Sequence, residues 1–145
     1  MAQFLETMKS HIEKLGWESV DQVSEQTLRM GFDMGEGRTQ MVFMTHYPVE
    51  SEERSDAVEI SSAVVKMDGF PDGKLGKAMA EKLLRENSTM AFANWAIEET
   101  SDGPYLVAMS GWLLDDLDPE ELDMAVHIVA AVADKMEASL GVDNF

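Results

Sequence analysis

The sequence contains no cysteine, which excludes disulfide bridges and thiolate metal sites and leaves the redox compartment unmarked. Positive charge is scarce. Lys and Arg number 11 against 28 Asp and Glu, for a net charge of −17. A nucleic-acid binder needs clustered bases to displace counterions from phosphate, and here the field repels phosphate and anionic headgroups alike. The imbalance is steepest from Asn87 onward, where Lys135 is the single base among 12 acids. Long apolar runs are missing too. The longest, residues 128–133, is far too short to span a bilayer. The opening Met1-Ala2-Gln3-Phe4-Leu5-Glu6 has no basic segment followed by an apolar one, so no signal peptide is predicted. These absences predict a cytoplasmic protein that neither enters membranes nor binds nucleic acid, and whose surface suits a partner with basic flanks.

What is present describes a folded domain. Hydrophobic residues make up 45% of 145, enough to bury a full core, and no repeat or linker divides the chain, so residues 1–145 read as one domain. Phe4, Met8, Ile12 and Leu15 recur at helical spacing, and Gly16 suits the left-handed position after that helix. Residues 18–26 are a polar lead-in to the sheet. Leu28, Met30, Phe32 and Met34 alternate with polar or small residues as a half-buried strand, the Gly35–Arg38 stretch is a turn, and residues 39–47 form a second strand. An acidic loop follows over residues 48–56, then a Val-, Ile- and Ser-rich third strand over residues 57–67.

A second helix spans residues 75–86 with Leu75, Met79 and Leu83 in line. Lys77–Glu81, Glu81–Arg85 and Lys82–Glu86 are its candidate ion pairs, and Asn87 is a left-handed stop. Strands over residues 90–98 and 105–113 form a hairpin. The last helix has the sharpest start signal, with Asp118 as cap, Pro119 at the first helical position and Glu121 completing a capping box. Leu122, Val126, Val129, Ala133, Met136 and Leu140 form its main stripe, and Met124, Ile128 and Val132 give it a second apolar face. The predicted architecture is α+β, in the order α-β-β-β-α-β-β-α, one antiparallel sheet with helices packed on a face.

That order in an acidic chain of this length resembles the type III secretion chaperone fold and the YbjN-type family that shares it. Leu83-Leu84-Arg85-Glu86-Asn87 is similar to the family's double-leucine helix end closing on Asn. The hairpin of residues 92–98 and 105–113 is similar to its two-strand unit. Leu114-Asp115-Asp116-Leu117-Asp118-Pro119-Glu120-Glu121-Leu122 matches its leucine-and-acid lead into the terminal helix. The resemblance implies a small dimer without cofactor or catalysis. Its chaperone members hold an extended client segment on apolar patches, and its YbjN-type members are described as sensory-transduction regulators. The methionine-rich first two strands depart from the chaperone pattern, so patch positions do not transfer.

Methionine is the most unusual count, at 12. Its flexible thioether suits both irregular cores and surfaces that accept varied partners. Met41 and Met44 lie an odd number of residues apart, so they point to opposite faces of their strand, Phe43 with Met41 and Val42 with Met44. One of the two therefore leaves the core. The final hairpin repeats this. Ala91, Ala93, Trp95 and Ile97 oppose Phe92, and Tyr105, Val107, Met109 and Leu113 oppose Leu106 and Trp112. A sheet apolar on both faces needs a second cover. The candidate client or dimer surface comprises Met30, Met41, Phe43, Met44, Phe92, Trp95, Trp112, Met124 and Ile128. Core filling is the competing reading for each methionine, and closer wrapping by the chain's own helices is the competing reading for the sheet.

Other motifs fail on their chemistry. A calcium loop begun at Asp116 would need Gly sixth and Glu twelfth, where Glu121 and His127 stand. The stretch from Gly69 to Leu75 is one residue short of a phosphate loop and has Leu75 where Ser or Thr must hold magnesium. His11, His46 and His127 sit on separate elements, with no HExxH pair and no GxSxG elbow. The sequence predicts a homodimeric, non-enzymatic protein-binding domain without metal or cofactor. A regulatory module taking a small ligand beneath the first helix, or a signalling protein, is the alternative.

Overall fold

The computed structural model describes residues 2–49 and 56–141, so most of the acidic loop predicted over residues 48–56 lies outside the described residues. Helix α1 (Ala2–Leu15) leads into strands β1 (Val20–Ser24), β2 (Thr27–Gly35), β3 (Arg38–Tyr47) and β4 (Ala57–Lys66). Helix α2 (Lys77–Asn87), strands β5 (Asn94–Thr100) and β6 (Gly103–Leu113) and helix α3 (Pro119–Leu140) complete the order. The strands form one six-stranded sheet, β1-β2-β3-β4-β6-β5, antiparallel throughout. The predicted α+β class and single antiparallel sheet hold, with one addition. The stretch read as a polar lead-in contains β1, an edge strand paired to β2 from Val20↔Met30 to Ser24↔Thr27. Its sequence, VDQVS, shows no apolar alternation because four of its five residues are exposed. An edge strand blunted by polar side chains gives periodicity nothing to detect.

Local chemistry fixes most boundaries. Gly16 adopts φ 72° and the Trp17 amide bonds the Ile12 carbonyl at 3.2 Å, closing α1. The β2–β3 hairpin turns on Glu36 (φ 55°) and Gly37 (φ 76°), the left-handed pair that suits the strands' twist. Asp118 Oδ1 accepts the Glu121 amide at 2.7 Å, so the predicted cap of α3 forms. Asn87 behaves differently from the expectation of a left-handed stop. It stays helical, and its side chain grips the next strand instead. Asn87 Oδ1 accepts the Trp95 amide at 2.6 Å, and its Nδ2 donates to the Trp95 carbonyl at 3.2 Å. Of the three predicted helix pairs, Lys77–Glu81 forms at 3.9 Å, whereas Glu86 turns away to accept the Trp95 indole N–H at 2.7 Å. Glu86 and Asn87 thereby fasten α2 to β5.

The core lies between one sheet face and the helices. Leu28 and Met30 of β2, Val42 and Met44 of β3, Val58 and Ile60 of β4, and Leu106 and Ala108 of β6 are buried there. They meet Phe4 and Met8 of α1, Leu83 of α2, and Leu122, Val126, Val129 and Ala133 of α3. Helix α3 packs on β4, β3 and β6 and also meets α1, which explains part of its double-sided apolar pattern. A bulge between Ala63 and Val65 turns both Val64 and Val65 inward. Arg38 Nε binds Asp134 Oδ1 at 3.0 Å, tying the β2–β3 hairpin to α3.

Candidate functional site

The nine surface candidates separate into four places. Met30, Met44 and Trp95 belong to the core rather than to an open surface, with exposures of 8%, 0% and 7%. Each stands on the strand face that the helices cover, so core filling wins at those positions. Met41 and Phe43 are half-buried on the opposite face. Phe92 and Trp112 line a shallow hollow together with Met90 and Gly111. Met124 and Ile128 are half-buried on α3. The structure therefore does not assemble the nine into one surface.

The sheet face away from the helices is open. Alternation along β3, β4 and β6 places Met41, Phe43, Thr45, Ala63, Val107, Met109 and Leu113 on it. An antiparallel sheet with one free face ordinarily carries polar residues there. This one does not. The face is also concave: a trough of about 320 Å³ is lined by Phe43 and Thr45 of β3, Ser61 and Ala63 of β4, Tyr105 and Val107 of β6, and Glu98, Thr100 and Asp102 of the β5–β6 hairpin. Ser61 and Val107 form its floor, at 7% and 4% exposure.

Two acids, Glu98 and Asp102, line the trough, and Glu59 interacts with the first of them. Glu59 of β4 and Glu98 of β5 approach across β6 and share a hydrogen bond, and the Tyr47 hydroxyl of β3 also bonds Glu59. Partial burial, then the charge of Glu98 and the shared proton, push the Glu59 carboxyl up to about 7. The Glu59 charge, helped by burial, also raises the Tyr47 phenol. At the other end, the Tyr105 hydroxyl donates to Asp102 at 2.6 Å and, with Lys66, holds that carboxyl below its usual range. Lys66 is already committed, lying 3.7 Å from Asp68 and 3.5 Å from Asp102.

A pH dependence of stability follows. A carboxyl whose folded value exceeds its unfolded value binds a proton more tightly when folded, so its contribution is most favourable at low pH and is lost as pH rises through about 7. Lowering the pH from about 8 to about 5.5 is expected to increase stability by about 1–2 kcal/mol from this site, after discounting for solvent screening. Urea unfolding at both pH values checks this. Glu59→Gln should flatten the slope, and an identical slope in the variant would refute the assignment.

The three histidines lie on separate elements, each with its own local partner. His46 Nε2 meets Asp56 Oδ2 at 2.6 Å and its ring lies 5.3 Å from that of Phe4. His11 Nε2 bonds the Leu117 carbonyl at 2.7 Å, and His127 Nδ1 bonds the Asp123 carbonyl at 2.7 Å. Phe4 and Met8, both 0% exposed, fill the space beneath α1 where a small ligand was considered. Among the described residues no three His, Asp or Glu side chains gather as metal ligands, and no helix is long and apolar enough to cross a membrane.

Comparison with solved structures bears on the fold. The chain superposes on the Yersinia pestis type III secretion chaperone SycH, determined in complex with a stable fragment of YscM2. The TM-score is 0.55 at 13% identity, over 91% of this chain and 98% of that one. The fold is secretion-chaperone-like. No protein-family model and no curated protein matches the chain. The chaperone-like fold places the trough on the sheet face away from α3, and positions a second apolar feature at the sheet edge. There Leu84 of α2 (69% exposed) and Ile97 of β5 (51% exposed) flank a groove with Leu75 and Ala80.

Reading the sequence missed Glu59, Glu98, Tyr47, Leu84 and Ile97 as site residues. Leu84 had a visible signal, since it falls off the Leu75–Met79–Leu83 line. The Glu59–Glu98 pair had none, because 39 positions separate them and only the coil of the sheet joins them.

Proposed function

We propose that this chain is a homodimeric, non-enzymatic chaperone-like protein of the cytoplasm that holds an extended client segment in the open sheet trough. The observation that carries it is the trough on the sheet face away from the helices, where half-buried Phe43, Thr45, Ala63 and Tyr105 stand around buried Val107. Extended segments suit such a face because alternate side chains can enter it while the others remain in solvent. The structural likeness to a chaperone determined with a protein fragment supports the same reading, and so does an acidic surface suited to clients with basic flanks. Kinship with YbjN-type proteins rests on the sequence resemblance and is part of the proposal. The absence of catalysis is inferred from the three separated histidines, none beside an activated nucleophile.

The dimer contact is assigned to α2 and the β5 edge. A chain of net charge −17 opposes its own association, so a self-contact belongs where acids are balanced. Helix α2 carries Lys77, Lys82 and Arg85 against Glu81 and Glu86, and it presents exposed Leu84 beside Ile97. Leu84→Asp is expected to convert a dimer to a monomer in multi-angle light scattering, with the melting temperature nearly unchanged. A wild-type chain that remains monomeric at high concentration would refute dimerisation. A panel of extended apolar peptides, titrated by fluorescence anisotropy, tests client binding independently.

A further inference from the structure

We propose that Asn87 closes the outer edge of the sheet to strand addition, its carboxamide standing where a neighbouring strand would bond at Trp95, and that the partner it excludes is a second copy of β5. This closure is separate from client binding. Strand β5 ends the sheet and pairs only with β6 among the described residues. The Trp95 N–H and C=O point away from β6, and Asn87 takes both, at 2.6 Å through Oδ1 and 3.2 Å through Nδ2. A carboxamide offers the same donor and acceptor as a peptide unit, so it makes the two bonds that an added strand would make there. Glu86, bonded to the Trp95 indole at 2.7 Å, holds the helix end in place for it. Alternation turns the Ile97 and Glu99 backbone groups the same way as those of Trp95, and among the described residues no strand faces them.

The need for a guard at that position follows from the strand's sequence, Asn94-Trp95-Ala96-Ile97-Glu98-Glu99-Thr100. It contains no Lys or Pro, residues that commonly blunt an edge, and Ile97 is 51% exposed on it. A two-fold antiparallel pairing of β5 with its copy, centred on Ala96 or Ile97, would set Ile97 against Trp95 or against itself and keep the glutamates apart. Both registers need the Trp95 backbone, which Asn87 occupies. The registers that avoid Trp95 centre on Glu98 or Glu99 and set a glutamate against its own copy, which is repulsive. Charge therefore guards one half of the strand and Asn87 the other. A side-chain contact through Leu84 and Ile97 stays open to a second copy, whereas a continuous sheet does not.

The test compares the full wild-type chain with Asn87→Ala and with Glu86→Ala, which loosens the same helix end but leaves the Trp95 backbone bonded. Light scattering over a concentration series takes the wild-type mass as its baseline, so the outcome does not depend on whether the wild type is a dimer. Asn87→Ala should form species larger than that baseline as concentration rises. In dilute solution its Trp95 amide should exchange with deuterium at least about tenfold faster than in the wild type. Glu86→Ala should keep the wild-type mass. If Asn87→Ala melts below the assay temperature, sucrose restores the fold and the masses of all three proteins are read in it. A folded Asn87→Ala of wild-type mass at every concentration overturns the proposal. Equal association of Glu86→Ala also overturns it, by assigning the effect to a loosened α2. So does an unchanged Trp95 amide, which would remove Asn87 as its partner.

Discussion

Phe43→Asp is expected to weaken binding of an extended apolar peptide by at least about a hundredfold, the scale of a binding hot spot, with little change in stability. Phe43 stands on β3 opposite Arg29 of β2 and Ser61 of β4, half-buried and facing the trough. An aspartate there keeps its carboxylate hydrated in the free protein, so folding loses little. In the complex that carboxylate would be buried among apolar atoms without a partner, at several kcal/mol. Its neighbour Val42 provides the contrast. Val42 is 0% exposed on the helix side, and Val42→Asp should unfold the chain. Peptide anisotropy and thermal melts of the two variants separate the faces. Undiminished peptide binding by Phe43→Asp would remove the trough from the client site.

Gln40→Ala is expected to destabilise the fold by about 3–4 kcal/mol, combining lost packing with lost hydrogen bonding. The β3–β4 pairing ends at Phe43↔Ser61, just before the bulge of β4. Side chains bridge the gap beyond it. Gln40 Nε2 donates to Ser62 Oγ at 2.7 Å and to the Ala63 carbonyl at 2.9 Å, and Ser62 Oγ donates to the Met41 carbonyl at 2.7 Å. Gln40 and Ser62 are both 0% exposed, so water cannot readily replace these bonds. Gln40→Leu retains most of the volume while removing the donor, and should cost about 1–3 kcal/mol. Urea midpoints of the two variants divide the packing from the polar contribution. If both variants unfold at the wild-type midpoint, the bridge contributes nothing to stability.

Gln40 also shows where sequence reading reaches its limit. On β3 it occupies the same face as Val42 and Met44, and alternation alone assigns a polar residue there no role. The bulge that requires it lies on another strand. Trp95 is similar: its large apolar body suggested a docking surface, yet Glu86 and Asn87 hold its indole, amide and carbonyl and fasten it within the core. The double-leucine motif was legible as a helix end, but its function as a clamp on β5 depends on where that strand passes.

What the sequence by itself determined is the local grammar. Helices and five of the six strands, the cap at Asp118, the turn at Gly35–Arg38 and the division of Met41 and Phe43 from Val42 and Met44 all follow from spacings of a few residues. Backbone geometry enforces those spacings wherever the chain lies. Tertiary structure alone decided which sheet face the helices cover, added the edge strand β1, and brought Glu59 to Glu98 across an intervening strand. Those outcomes depend on twist, curvature and packing between elements distant in sequence, where the free energy is shared among many contacts and no local pattern records it.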